Sequence, residues 1–304
     1  MTGPGPGPGA GAQRQVLDHV ALVVPSLAAG RDLYARLGFA LTPQSSHKGP
    51  LEPGWPVVLW GAGNHCAMFR RGYFEILGVT DPDRHHSHVT SRLDRYSGLH
   101  LVALGCDDAG AMAALLAARG VAMEPVVQVG RDVPCGGTTR PGLFHILRPA
   151  EGTFPEADLF YIHHATPEVL WQPALLDQPN GVTGLSAVTL CSDEPAATLA
   201  RLESITGRAA IADGWCDRLQ LDAGCIEVAT PARFFARYPQ GAVPVRPSAV
   251  SAAFTVASLG ATATWLAQVR VPFAESPGEI LVAPAEAGGA LLRFMEDPGK
   301  AGAG

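Results

Sequence analysis

Glu75 is the residue whose surroundings point most directly to chemistry. It stands at the centre of the apolar run Tyr-Phe-Glu-Ile-Leu at residues 73–77. Burying an ionised carboxylate in such a strand is costly unless a cation or a metal ion neutralises it. The sequence offers two sources of positive charge: a bound metal ion, or an ion pair with Arg70 or Arg71 just upstream.

A second set of candidate ligands is the segment DPDRHHSH at residues 81–88, which contains His85, His86 and His88. Neighbouring histidines on a loop or at the start of a helix do not converge on one point. We therefore interpret this segment as a solvated linker between structural units rather than as a metal site.

Four segments share one pattern, in which an apolar strand is followed by a short polar turn, a helix rich in Ala and Leu, and a further strand. They read LDHVALVVPSLAAGRDLYARLGFAL, GLHLVALGCDDAGAMAALLAARGVAM, GLSAVTLCSDEPAATLARLESITGRAA and VSAAFTVASLGATATWLAQVRVPF. We place equivalent first-strand positions at His19, His100, Ala187 and Ala253. Each unit also closes on an apolar strand. The sequence therefore predicts an α+β fold of four tandem βαβββ modules and excludes a doubly wound parallel sheet.

Changes in composition divide the chain. The opening GPGPGPGAGA has no strand before it and no helix behind it, so residues 1–15 are interpreted as a disordered tail rather than a phosphate-binding loop. A connector rich in Pro and aromatic residues, at residues 163–182, separates an N-terminal domain at residues 16–180 from a C-terminal domain at residues 181–297. Residues 298–304 are expected to form a second tail.

The composition limits the classes of partner. With 22 Lys and Arg against 28 Asp and Glu, the formal net charge is -6, so the chain has no basic field for nucleic acid. No stretch reaches the ~20 apolar residues of a membrane span, and the start lacks the features of a secretory signal. The six cysteines form no C-x-x-C pair and are expected to be reduced. We expect a cytoplasmic protein with a small-molecule substrate or ligand, and the sequence is compatible with a homodimer.

The strand and helix LDHVALVVPSL…LYARLGF, the closing strand GYFEILGV and the connector HHATPEVLWQP together resemble the glyoxalase-like domain of the vicinal oxygen chelate superfamily. The resemblance covers roughly residues 16–297. It implies that the modules pair into two half-open, curved sheets of the glyoxalase/dihydroxybiphenyl dioxygenase type, each enclosing a cavity. In this family the metal ligands come from the first strand of each paired module and from the last strand.

Transferred to this sequence, the resemblance implies one divalent metal ion (Fe, Mn, Zn, Ni or Co) held by His19, Glu75 and His100. Two imidazoles and one carboxylate leave coordination positions open for substrate oxygens. The fourth family position falls on Tyr161, where a further carboxylate would stand. The structural alternative is that His19 and His100 are hydrogen-bonded core histidines.

Further residues of the first half are candidates for catalysis and substrate binding. Tyr161 could donate a hydrogen bond to an oxyanion, and His163 could act as an acid or base at the cavity rim, although a strand tyrosine ordinarily serves packing. Arg140 could bind a substrate carboxylate or form a surface salt bridge. The candidates for substrate binding are His47, Trp55, Trp60, Asn64, His65, Arg140 and His145.

The second half lacks the predicted ligand set. Ala187 and Ala253 stand at the two histidine positions, and Glu227 corresponds to Glu75. The fourth module closes with Arg293 at the corresponding place. We expect Glu227 to pair with an arginine across the second cavity, which makes this half structural or metal-free.

These residues are compatible with three functions from different classes. The first is a metal-dependent enzyme of the dioxygenase, lyase or isomerase type that acts on a small oxygenated molecule. The second is a metal-free protein of the same superfamily that binds or sequesters a small molecule. The third is a structural dimer module without a ligand. A fold that hosts many chemistries does not choose between them.

Overall fold

The computed structural model describes residues 13–52 and 54–296 of the chain. The predicted tails at the two ends lie outside the described residues, except that Gln15 already begins the first strand. No helix in these described ranges is long and apolar enough to cross a membrane.

The first half contains two modules joined by the short helix α2 (Ser87–Leu93). The first module consists of β1 (Gln15–Val24), α1 (Leu27–Arg36), β2 (Ser45–Gly49), β3 (Val58–Met68) and β4 (Tyr73–Val79). The second consists of β5 (Gly98–Cys106), α3 (Ala109–Ala118), β6 (Val127–Cys135), β7 (Thr138–Leu147) and β8 (Asp158–His164). A connector with the short helix α4 (Pro167–Leu170) follows.

The second half repeats this order, with helix α6 (Pro231–Arg237) between its modules. The third module consists of β9 (Val182–Cys191), α5 (Pro195–Thr206), β10 (Ile211–Asp213), β11 (Cys216–Gln220) and β12 (Cys225–Ala229). The fourth consists of β13 (Ser248–Val256), α7 (Leu259–Gln268), β14 (Ala274–Ser276), β15 (Glu279–Val282) and β16 (Leu291–Glu296).

Each half forms one curved, eight-stranded sheet. The strand orders are β2-β3-β4-β1-β5-β8-β7-β6 and β10-β11-β12-β9-β13-β16-β15-β14. Within each module the first and last strands are parallel neighbours, and the two modules of a half meet through their antiparallel first strands. This arrangement confirms the predicted α+β fold of four βαβββ modules.

Three of the module helices begin with the same cap. The side chains of Ser26, Asp108 and Ser258 accept hydrogen bonds from the backbone amides three residues further on, at 3.3, 2.7 and 3.3 Å. These bonds satisfy amides that the first turn of a helix leaves unpaired. The capping residues are therefore equivalent points from which positions in different modules can be compared.

The helices cover one face of the sheets, where the main apolar core lies. Alternate residues of β1 and β4, among them Val20, Phe74 and Ile76, are fully buried in it. The core continues from one half into the other, since the ring of Phe39 lies 5.4 Å from that of Phe254. We call the opposite face of the first sheet, turned away from the helices, its inner face.

A buried ion pair neutralises the carboxylate of the second half. Arg293 Nη1 lies 2.6 Å from Glu227 Oε2, and both side chains are almost fully buried. Thr189 donates a hydrogen bond of 2.8 Å to the same carboxylate oxygen, and Glu279 approaches the guanidinium at 3.2 Å. The predicted pairing of Glu227 with an arginine is confirmed.

Replacing Glu227 with Ala should destabilise the protein by about 3 kcal/mol, because the buried guanidinium of Arg293 loses its main partner. Denaturant unfolding followed by circular dichroism measures the change. The matched control is Glu168→Ala, which removes an exposed carboxylate 3.0 Å from Arg140 and should cost less than about 1 kcal/mol. Equal losses in the two variants would contradict the assignment.

Candidate functional site

The pairing of β1 with β4 determines which side chains share the inner face of the first sheet. His19 lies opposite Tyr73 of β4, and Glu75 stands two residues further along that strand, so all three project from the same face. The Tyr73 ring stacks on the His19 ring with their centroids 4.2 Å apart. Phe160 of β8 meets His19 edge-on at 5.7 Å. His19 and Glu75 are thus brought together as expected.

His100 does not occupy the position predicted for it. His19 lies seven residues before Ser26, the cap of helix α1. The residue seven positions before Asp108, the equivalent cap of helix α3, is Leu101. His100 lies at an irregularity in the pairing of β1 with β5. Ala103 is the residue of β5 that faces His19, and His100 is three residues from it, a distance of about 10 Å along the strand.

His100 is instead held at the start of β5. It donates a 2.8 Å hydrogen bond from Nε2 to the carbonyl of Tyr96 and stacks on that ring. Burial lowers the pKa of His100 to about 4, which keeps its imidazole neutral near pH 7. These contacts match the alternative of a hydrogen-bonded core histidine.

Tyr161 also stands one residue away from the predicted position. Ala103 pairs with Phe160 as Ala21 pairs with Glu75, so Phe160 is the counterpart of Glu75 in the second module. The Tyr161 side chain projects into the core between the halves. Its hydroxyl donates to Gln15 Oε1 at 2.7 Å and lies 3.1 Å from a backbone carbonyl of α5, and burial raises its pKa far above neutral pH. Tyr161 is therefore a packing residue rather than a proton donor of the site.

Asp18 is a buried carboxylate bonded to two histidines. His19 donates from Nδ1 to Asp18 Oδ1 at 2.7 Å, and His164 donates from Nε2 to both carboxylate oxygens at 3.1 and 3.2 Å. Burial alone would raise the pKa of Asp18, but His164 and His19 together hold it well below its usual range. A permanently ionised Asp18 keeps the proton of His19 on Nδ1 and turns Nε2 inward.

The inward nitrogen of His19 faces the second carboxylate. His19 Nε2 lies 3.8 Å from Glu75 Oε2 and accepts a long hydrogen bond of 3.4 Å from the Tyr73 hydroxyl. The other oxygen of Glu75 accepts a hydrogen bond from the side-chain amide of Asn64 on β3. Asn64 was predicted to bind substrate, and it lies directly at this site.

The cation nearest to Glu75 and Asn64 is Arg131 of β6. It stands in place of Arg70 or Arg71, the two arginines that the sequence offered as ion-pair partners of Glu75. Arg131 donates from Nη1 to Asn64 Oδ1 at 3.3 Å and lies over the Phe144 ring at 5.6 Å. Burial on its own would lower the pKa of Arg131, but neighbouring groups, including Glu75, raise it above its ordinary value. Arg131 therefore keeps its positive charge, and it is linked to Glu75 through Asn64.

The predicted three-ligand metal site is not assembled by these residues. His19 and Glu75 converge, but the module counterparts of these two ligands are Leu101 and Phe160, whose side chains cannot bind a metal. Across residues 13–52 and 54–296, no group of three or more His, Cys, Asp and Glu side chains is arranged to hold a metal ion. The donor set therefore does not fit the ion that the resemblance implies.

Four other candidates are placed outside the inner-face site. His145 and His163 face each other across β7 and β8, with their Nδ1 atoms 3.3 Å apart. Arg140 forms an exposed salt bridge with Glu168, which was the alternative interpretation. His65 projects from the other face of β3 and bonds the Thr42 carbonyl through Nδ1 at 2.8 Å.

The histidine-rich segment is partly packed and partly exposed. Helix α2 begins within it, and His88 Nε2 lies 3.0 Å from Nδ1 of His47 on β2. Trp60 donates its indole N–H to the carbonyl of Gly49 and lies against the rings of His85 and His88. Burial lowers the pKa of His88 to about 4. The segment links the two modules as predicted and is solvated in part, but His85 and His88 pack on Trp60 and on each other.

Sequence reasoning missed three residues that organise the site. Asp18 directly precedes His19, and an acidic residue beside a strand histidine is a usable signal for an orienting carboxylate. His164 was seen only as the second histidine of a connector. Arg131 comes from an exposed-looking hairpin, VQVGRDVPC, and nothing in its local pattern indicates that its side chain reaches Asn64 beside Glu75.

Comparisons with known proteins agree with this architecture. A hypothetical protein from Staphylococcus aureus has a TM-score of 0.62 at 12% identity, covering 93% of this chain and 100% of its own. A mutant of 4-hydroxymandelate synthase from Streptomyces coelicolor has a TM-score of 0.57 at 13% identity, covering 94% of this chain and 93% of its own. At these identities the likeness shows the fold alone.

A third similar structure is a fusion of a xylose isomerase-like TIM barrel with a 4-hydroxyphenylpyruvate dioxygenase, with a TM-score of 0.54, 14% identity and coverage of 98% of this chain and 51% of its own. Comparison with the curated proteins finds no match. The sequence model of the glyoxalase-like domain matches residues 17–206, more than half of the chain. On this match and on its paired βαβββ modules, the chain belongs to the glyoxalase-like domain family of the vicinal oxygen chelate superfamily.

Proposed function

We propose that this protein is an enzyme that transfers a proton on a small oxygenated molecule at the His19 and Glu75 pair, without the predicted three-ligand metal. The observation that carries the proposal is the line of groups from Asp18 through His19 to Glu75, with distances of 2.7 and 3.8 Å. A carboxylate that orients an imidazole toward a reacting group is a recurring arrangement in acid–base catalysis.

His19 is the proposed base. Because Asp18 accepts the Nδ1 proton, Nε2 carries the lone pair that can take a proton from a carbon next to a carbonyl group. The bonding electrons of that C–H bond move into the carbonyl, and the carbonyl oxygen becomes an oxyanion. The proton then returns from Nε2 to the same carbon or to its neighbour, which gives exchange or isomerisation.

Arg131 and Glu75 have complementary roles in this proposal. The half-buried guanidinium of Arg131 is positioned to stabilise the oxyanion, since it keeps its charge and lies beside Asn64. Glu75 can carry a hydroxyl proton between the two oxygens of an α-hydroxy carbonyl compound. The similarity to a 4-hydroxymandelate synthase and to a fusion protein with a 4-hydroxyphenylpyruvate dioxygenase part supports a small oxygenated substrate.

The competing hypothesis is a metal-dependent enzyme with His19, Glu75 and His100 as ligands. A divalent ion there would polarise the substrate carbonyl as a Lewis acid. It requires His100 to cross about 10 Å of strand and to give up its bonds to Tyr96. The arrangement of the side chains favours proton transfer by the residues themselves.

Incubation in D₂O with a chelator tests the proposed chemistry. We expect the wild-type protein to replace the α-proton of small α-hydroxy ketones or α-hydroxy acids with deuterium, followed as loss of the proton NMR signal. His19→Gln should slow this exchange by at least about a hundredfold, because the base is removed. His65→Gln is the matched control, since it alters a histidine on the opposite face of β3. Exchange that needs added metal, or that survives in His19→Gln, would overturn the proposal.

Metal content tests the competing hypothesis separately. We expect purified protein, and protein titrated with Fe(II), Mn(II) or Zn(II), to bind clearly less than about one ion per chain at this site. Glu75→Ala and His100→Ala should leave the metal content measured by elemental analysis unchanged. A stoichiometric ion that both substitutions remove would establish the three-ligand site and exclude the metal-free mechanism.

A further inference from the structure

A cavity of about 500 Å³ lies where the inner face of the first sheet meets the connector and the second half. It is lined by the start of β1, the β3–β4 turn, the end of β5 and the end of β8. Residues 167 and 171 of the connector and Leu185 and Ala223 of the second half complete it. Neither His19 nor Glu75 is among the described lining residues, so this cavity is separate from the proposed reacting pair.

Positive charge surrounds the cavity. Arg14, Arg70 and Arg71 all line it, and all three are exposed. Arg70 forms only a long, exposed ion pair of 3.6 Å with Asp177, which water screens strongly. Arg71 contacts Thr255 at 3.3 Å as one of its interactions. Exposed guanidinium groups can exchange such contacts for two parallel hydrogen bonds to a carboxylate.

The floor of the cavity holds a buried histidine with an unused nitrogen. The His164 side chain is 9% exposed, and its Nε2 is bonded to the ionised Asp18. Its Nδ1 is buried and finds no hydrogen-bond partner in the described part of the chain. A buried polar atom without a partner costs free energy, which a bound ligand or water would recover.

The remaining walls are apolar and include one flat aromatic surface. Trp171 donates its indole N–H to the Phe69 carbonyl at 3.0 Å, which holds the ring in place, and its ring meets that of His164 at 4.9 Å and nearly a right angle. Val16, Ile162 and Pro167 are further apolar lining residues. A cavity with an apolar wall and a few convergent polar groups is typical of small-molecule sites.

We propose that this cavity binds a small carboxylate with a flat apolar body, at a site separate from His19 and Glu75. The carboxylate pairs with Arg70 and Arg71 at the rim, and the apolar body lies against Trp171 and Ile162. Asp107 at the rim and Asp18 at the floor are the acidic lining residues. Asp18 stays ionised and is held by hydrogen bonds from two histidines, but the three lining arginines outnumber the two lining carboxylates, so the cavity retains a net preference for an anion.

Isothermal titration calorimetry with benzoate tests the proposal on the full chain, with benzamide as a neutral analogue of the same shape. We expect benzoate to bind and benzamide to bind at least about tenfold more weakly. The double variant Arg70→Gln/Arg71→Gln should lose most of this difference. Arg31→Gln is the matched control, because it removes an exposed arginine of α1 that pairs with Asp32.

Tryptophan fluorescence locates the ligand without relying on the arginine variants. Benzoate should change the emission of the wild type and of Trp215→Phe, and this response should be lost in Trp171→Phe. His19→Gln should still bind benzoate, which separates this site from the proposed reaction. Absence of benzoate binding, equal binding of benzamide, or an unchanged response in Trp171→Phe would overturn the proposal.

Discussion

The antiparallel pairing of β1 with β5 is the constraint on which the first half depends. Successive side chains of a strand point to opposite faces, so a shift of one residue exchanges the core face for the inner face. The pairing sets Val20 against Val102 on the core side and His19 against Ala103 on the inner side. Every later placement follows from this register, including the apolar Leu101 and Phe160 at positions where ligands were expected.

The two halves neutralise equivalent carboxylates in different ways. Glu227 forms a direct ion pair with Arg293, supported by Thr189, and no part of that carboxylate is left for a ligand. Glu75 is reached by Asn64, which in turn accepts from Arg131, and its second oxygen faces His19. The direct ion pair of Glu227 stabilises the second half, whereas the indirect link of Glu75 to Arg131 leaves the reactive atoms of Glu75 and His19 facing each other. The first half is therefore the half suited to chemistry.

Asp18 joins two regions that are otherwise distinct. One histidine on this carboxylate faces Glu75, and the other lines the cavity beside Trp171. Because both histidines donate to the same buried group, a change in the hydrogen bonding of His164 alters the charge that orients His19. The connector that carries Trp171 is thus in contact with the proposed site as well as being a link between halves.

The sequence by itself determined the four βαβββ modules, because each strand and helix has a strong local period and each helix a polar start such as Ser26 or Asp108. It also singled out His19, Glu75 and Asn64 as candidates, since polar groups within apolar strands stand out locally, and the three side chains lie together on the inner face. Only the tertiary structure decided that His100 and Tyr161 lie elsewhere and that Arg131 is the nearby cation. A one-residue register irregularity and a contact between distant strands leave no local pattern, because both arise from the pairing of segments far apart in the chain.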